Sequence, residues 1–138
     1  MKKLLLMLGL IVTLIIPVSA DAETVKTPNS LYAVAFHADW CGSCKVLGSN
    51  VVKARGKADL DNKNVLFVKL DLTNAATRHQ SSLMASALGL DDFYNTNAGK
   101  TGFILLVNAQ TGDVVGKLTK EHDANAIITT IDEKISAL

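Results

Sequence analysis

Two cysteines, Cys41 and Cys44, set the chemistry open to this sequence of 138 residues. It holds no others, so a scaffold of several disulfides is excluded. A bridge closing so small a loop removes little unfolded-state entropy, and stability gives no reason for the spacing. Redox exchange or metal binding does. If a helix starts here, residues i and i+3 share its first turn, near the Cα separation of ~5.5 Å that a disulfide needs. Cys41 would then occupy the helix start, where unpaired N–H groups and the macrodipole favour an anion. The thiolate is the reactive form, so that position activates Cys41. Cys44, one turn inside and less exposed, is suited to resolving the mixed disulfide through which exchange passes. Lys45 adds a nearby cation. Asp39 opposes it, but can turn to solvent.

The metal alternative uses the same sulfurs. Soft thiolates suit Cu(I) or Zn, and His37 could be a third ligand beside Cys41 and Cys44. A structural zinc site wants four protein ligands, and His79 or His122 would have to arrive from afar. A histidine that simply fills space at a loop edge is the plainer reading of His37.

The flanking pattern says what positions this pair. Leu31-Tyr-Ala-Val-Ala-Phe36 is a short apolar run of β-formers, suited to a strand buried on both faces. His37 to Cys41 is a turn. Leu47, Val51, Ala54 and Ala58 then form one apolar helical stripe, weakened by Gly48 and Gly56 and ending near residue 58. After a turn at 61–64, residues 65–72 read as a second strand. Thr73 or Asn74 can cap a helix that runs to about Leu88 and stops at Gly89. Residues 90–102, with Asp91-Asp92, two asparagines and two glycines, read as a long irregular loop. Phe103 to Val107 is a third strand, 108–113 a hairpin connection, and Val114 to Leu118 a fourth strand. The stripe Ala124, Ile127, Ile128, Ile131, Ile135, Leu138 predicts an amphipathic terminal helix. The order is β-α-β-α-β-β-α: an α/β fold with a four-stranded mixed sheet and helices on both faces. The crossover makes the first two strands parallel, and the hairpin makes the last two antiparallel.

The start of the chain reads as an export signal. Lys2 and Lys3 precede an apolar run from Leu4 to Ile16, followed by Pro17 and the small-residue site Val18-Ser19-Ala20. The run is shorter than the ~20 apolar residues of a membrane span. The expected organisation is a signal peptide at 1–20, a lead-in at 21–30 and one domain at 31–138. Cleavage after Ala22 is the alternative to cleavage after Ala20. No membrane insertion is expected after cleavage, and a simple Sec-type leader points to a bacterial periplasm. Basic and acidic side chains nearly balance, 14 against 13, without a basic cluster. That gives no electrostatic footprint for nucleic acid.

With these elements in place, the sequence resembles the thioredoxin family. Trp40-Cys41-Gly42-Ser43-Cys44-Lys45 is similar to the family's active-site motif, and Val34 to Asp39 to the strand and turn before it. Val68-Lys69-Leu70-Asp71 and Phe103 to Val107 match later strands in the right order, so the resemblance spans roughly 31–138. It implies a thiol–disulfide oxidoreductase without a cofactor, acting on protein thiols and disulfides, with Cys41 attacking and Cys44 resolving. It also places Trp40, Gly42, Ser43, Lys45, Lys69, Thr101 and Gly102 around the sulfurs. The Ala38 to Cys41 stretch is similar to exported reductase domains that pass electrons across the bacterial inner membrane, so a membrane electron carrier is an expected partner and reduction the expected direction.

The sequence departs from the family in four ways. Ala35 stands where the family has a buried acid, which leaves Lys69 without that partner. Gly102 stands where the family has a cis-proline, and no proline follows Pro28. Residues 21–30 are too few for the family's first strand and helix. The segment between Asp71 and Gly102 is longer than the family's. Thr101-Gly102 should dock substrate with less pre-organisation than proline does.

Overall fold

The computed structural model describes residues 30–138. The expected signal peptide at 1–20, and the lead-in apart from Ser30, lie outside the described residues.

The central strand is β1 (Leu31–His37), hydrophobic along its length and covered on both faces. It leads into α1 (Gly42–Ala58), whose Leu47 and Ala54 are buried, with Val51 and Ala58 packed beside them. A short 3-10 turn, Leu60–Asn62, precedes β2 (Val65–Asp71). Then come α2 (Ala75–Ala87), β3 (Phe103–Asn108), β4 (Val114–Thr119) and α4 (Ala124–Ser136). The sheet order is β2-β1-β3-β4. β1 runs parallel to β2, with Leu31 opposite Val65 and His37 opposite Asp71. It runs antiparallel to β3, with Phe36 opposite Phe103, and β3 pairs antiparallel with β4. The mixed sheet, the parallel β1–β2 pair and the antiparallel β3–β4 pair are those expected from the sequence, and the antiparallel β1–β3 pair is what the structure adds.

One expectation is corrected. Residues 90–102 are not irregular throughout, because Asp91–Asn97 forms a further helix, α3. The order is therefore β-α-β-α-α-β-β-α. The sequence hides α3 because its seven residues are rich in Asp, Asn and Thr, poor helix formers in the interior of a helix. Tertiary contacts hold it instead: Phe93 and Tyr94 pack on the core, the Tyr94 hydroxyl donates to the Arg78 carbonyl (2.8 Å), and Ser86 Oγ donates to Asp91.

The helices divide the core in two. On one face, Leu47 and Ala54 of α1 meet Ile127 and Ile131 of α4 over Leu31, Ala33, Ile104, Leu106 and Leu118. On the other, α2 and α3 cover Tyr32, Val34, Phe36, Val68, Leu70, Leu105 and Val107. Rings of Phe36 and Phe103 stack at 5.1 Å across neighbouring strands.

Helix α2 shows how local signals fix an element. Asn74, the cap, accepts at its side chain from Ala76 N–H and Thr77 N–H, while Thr77 Oγ1 accepts from Asn74 N–H (3.0 Å). At the other end Gly89 takes φ +68°, Leu90 N–H donates to Ala85 O (2.8 Å), and Gly89 N–H donates to Ser86 O (3.1 Å). That pattern closes the last turn and needs a residue that tolerates the left-handed conformation. Replacing the cap by Asn74→Ala should lower stability by about 1 kcal/mol, whereas Asn74→Ser should keep most of it. The midpoints of urea unfolding curves for the two variants measure the difference.

Candidate active site

The site forms at one end of the sheet, where β1 and β2 end and β3 begins. Register brings three segments together there: His37 at the end of β1, Asp71 beside it at the end of β2, and Gly102 just before Phe103. Gly102 N–H donates to Phe36 O (3.0 Å), and Leu72 N–H donates to His37 O (2.7 Å). The tight turn 38–41, closed by Cys41 N–H on Ala38 O (3.0 Å), then delivers the chain into α1.

Cys41 is the N-cap of α1, with extended backbone angles (φ −84°, ψ 108°). Its sulfur does what a serine or aspartate oxygen does elsewhere, accepting from Cys44 N–H at 3.1 Å. A thiolate at this atom would meet both that donor and the positive end of a 17-residue helix. The first turn carries no acidic residue to oppose it. Cys41 and Cys44 are joined as a disulfide with Cα atoms 5.3 Å apart, so this is the oxidised state. Cys41 is 8% exposed and Cys44 5%. Cys44 Sγ lies 3.8 Å from the Phe36 carbonyl oxygen.

The residues expected around the sulfurs fall into two groups. Trp40, Gly42, Ser43 and Gly102 gather at Cys41. Trp40 is 64% exposed, with its indole N–H directed at Thr73 O (3.4 Å). Gly102 has φ +92°, and a Cβ placed on it would lie 3.0 Å from Ser43 Cβ and 3.6 Å from Cys41 Sγ. Close approach and positive φ together reserve this position for glycine. Thr101, half-buried, leads into it. The described residues contain no cis peptide bond, so the backbone beside Cys41 is trans and glycine-kinked.

Lys45, Lys69 and Ala35 instead belong to the Cys44 side. All three line a cavity of about 410 Å³ beneath α1, together with Cys44 itself, and Gly102 lines it as well. Lys69 is not a buried lone cation, for its side chain is 58% exposed and its Nζ lies 3.5 Å from Asp71 Oδ2.

His37 is engaged by a neighbouring acid. Its Nε2 lies 3.2 Å from Asp39 Oδ1, and its metal-ligating company is Asp39 and Asp71, not the cysteines. The cysteines are bound to each other, and the grouping of His37 with Cys41 and Cys44 is not the one this structure makes.

A supporting residue missed in the sequence is Thr73, read there only as a possible cap. Thr73 Oγ1 accepts from Asp39 N–H (3.0 Å) and donates to Asp71 Oδ1, which also accepts from Thr73 N–H (2.9 Å). With its carbonyl facing the Trp40 indole, it ties the cysteine turn to the end of β2. The Asp-x-Thr spacing after a strand was the available signal. These hydrogen bonds from Thr73 hold the Asp71 carboxyl below its ordinary value, with Lys69 assisting and partial burial opposing.

Comparison with known proteins follows this geometry. A family profile described as Thioredoxin matches residues 15–86, just over half of the chain. No curated protein matches. Among solved structures, thioredoxin-2, a component of the malaria parasite protein secretion machinery, is 17% identical with TM-score 0.50 over 76% of this chain and 84% of that one. Oxidised mitochondrial thioredoxin 3 of Saccharomyces cerevisiae is 22% identical with TM-score 0.42, covering 81% of this chain and 82% of its own.

Two outcomes are expected here. Gly102→Ala should destabilise the protein by more than ~1 kcal/mol, because its backbone angle and its Cβ are both unfavourable; thermal or urea unfolding measures this. Because the Asp71 carboxyl is depressed in the folded state, its contribution is full above the ordinary value of 3.8 and is lost as pH falls through the lower folded value. Thr73→Val should therefore flatten the acid limb of a stability-against-pH curve in that window.

Proposed function

Since the chain belongs to the thioredoxin family, we propose that it is a thiol–disulfide oxidoreductase in which Cys41 attacks and Cys44 resolves. The carrying observation is the Cys41 sulfur: it caps α1, receives the Cys44 N–H, and lies beside the close backbone of Gly102, with exposed Trp40 next to it in the chain.

In the reducing direction, the Cys41 thiolate attacks one sulfur of a protein disulfide. The substrate S–S bond breaks, its departing sulfur takes a proton, and a mixed disulfide holds the two proteins together. The Cys44 thiolate then attacks Cys41 Sγ, displacing the substrate's second sulfur as a thiolate and closing the Cys41–Cys44 bond. Two electrons have passed from the dithiol to the substrate. The oxidising direction runs the same steps backward.

The second step needs the Cys44 proton removed. Ala35 supplies no carboxylate, so the cavity opening beside Cys44 gives water that access, and the Lys69 ammonium at its rim favours the thiolate. On the substrate side, Trp40 offers an apolar face, and the Gly102 backbone lies close enough for a docked chain to approach both sulfurs.

We place this activity in a bacterial periplasm, as a reductant resupplied by a membrane electron carrier. The leader-like residues 1–20 and the likeness of the 38–41 stretch to exported reductases support that setting.

Insulin reduction tests the activity: Cys41→Ser should abolish turnover, and Cys44→Ser should accumulate mixed disulfides visible on non-reducing gels. A folded wild-type protein with no turnover above Cys41→Ser would reject the reading. Alkylation of reduced Cys41 should show a pH midpoint below the free-thiol value of ~8.5, as expected for a thiolate at a helix N-terminus.

A further inference from the structure

The cavity beneath α1 reaches further than exchange at Cys41 requires. Its volume, about 410 Å³, lies within the range of small-ligand pockets, roughly 300–1,000 Å³. It exists because two positions carry little side chain: Ala35 on β1, and Gly48 on α1, where an added Cβ would meet nothing within 4 Å. Its walls are apolar, built from Ala33, Ala35, Leu47, Val51, Phe67 and Ile104. Cys44 is part of the lining.

The charge at this opening has one sign. The titratable side chains lining it, apart from Cys44, are His37, Lys45, Lys69 and Arg55, with no aspartate or glutamate among them. Arg55 stacks over the Phe67 ring (4.8 Å) and pairs with Asp61 (2.6 Å), and Lys69 pairs with Asp71, both acids standing outside the lining. Lys45 has no ion pair among the described residues. An apolar chamber with a cationic rim selects an apolar body that carries an anion, because burial of the body and Coulomb attraction at the rim act together.

We propose that this cavity binds a small amphipathic anion, a carboxylate on an aliphatic body, with the tail along α1 toward Cys44 and the carboxylate at Lys45. Of the residues gathered at Cys41, Gly102 also lines this site, whereas Trp40, Gly42 and Ser43 do not. It goes beyond the oxidoreductase reading, and binding to the oxidised protein does not depend on turnover.

Isothermal titration of the oxidised protein with decanoate tests this, with decyltrimethylammonium as a probe of equal tail and opposite charge. Decanoate should bind at least tenfold more tightly than the ammonium probe. Gly48→Leu fills the chamber from a helical position where leucine is favoured over glycine, so the variant should fold. It should weaken decanoate binding at least tenfold, and Ala35→Leu should do the same from the sheet side. Lys45→Gln should weaken decanoate several-fold and leave the ammonium probe unchanged. Absence of decanoate binding, equal binding of the two probes, or undiminished binding to folded Gly48→Leu would each overturn the proposal. Insulin turnover, measured separately, leaves these results unaffected.

Discussion

One carbonyl oxygen, that of Phe36, holds the reactive end of the molecule together. It accepts from Gly102 N–H at 3.0 Å, which fixes the start of β3 against the end of β1. Cys44 Sγ lies 3.8 Å from the same oxygen. The Phe36 ring beneath it stacks on Phe103, so the backbone junction rests on a packed aromatic pair. A strand end, a strand start and the inner sulfur are thus set by one buried register. Because interiors are close-packed and respond as units, this geometry cannot drift piece by piece.

From that junction the two sulfurs acquire different surroundings. Cys41, at the helix cap, meets Ser43 and the glycine-kinked backbone at 102. Cys44, one turn later, meets a chamber walled by apolar side chains and rimmed by cations. Thiol exchange needs such asymmetry, since one sulfur must meet a bulky partner and the other must stay back until the mixed disulfide forms. Two residues between first and second cysteine suffice when a helix begins at the first.

Charge around the turn is arranged to leave the sulfurs free of carboxylates. Asp39 is paired to His37 and largely exposed, and Asp71 is occupied by Thr73 and Lys69. The same Thr73 holds Asp39 by its backbone and faces the Trp40 indole. The acids beside the motif therefore brace the turn, and the helix N-terminus governs the field at Cys41.

Local spacing in the chain was enough to reveal most of the architecture. The apolar run 31–36, the stripe from Leu47 to Ala58, the cap at Asn74 and the stop at Gly89 are short-range signals, each decided by residues within a turn or two. The nucleophile's place at a helix start follows from the same signals. Helix α3 escaped because its stability comes from Phe93 and Tyr94 docking on a distant sheet, which no local propensity records. Thr73, the pairing of His37 with Asp39 rather than with sulfur, and the chamber behind Cys44 are likewise products of packing. Thr73 and the chamber join residues some tens of positions apart, while His37 and Asp39, two apart, meet across the turn; the strand register that brings β1, β2 and β3 together at one end decides which of the distant ones touch.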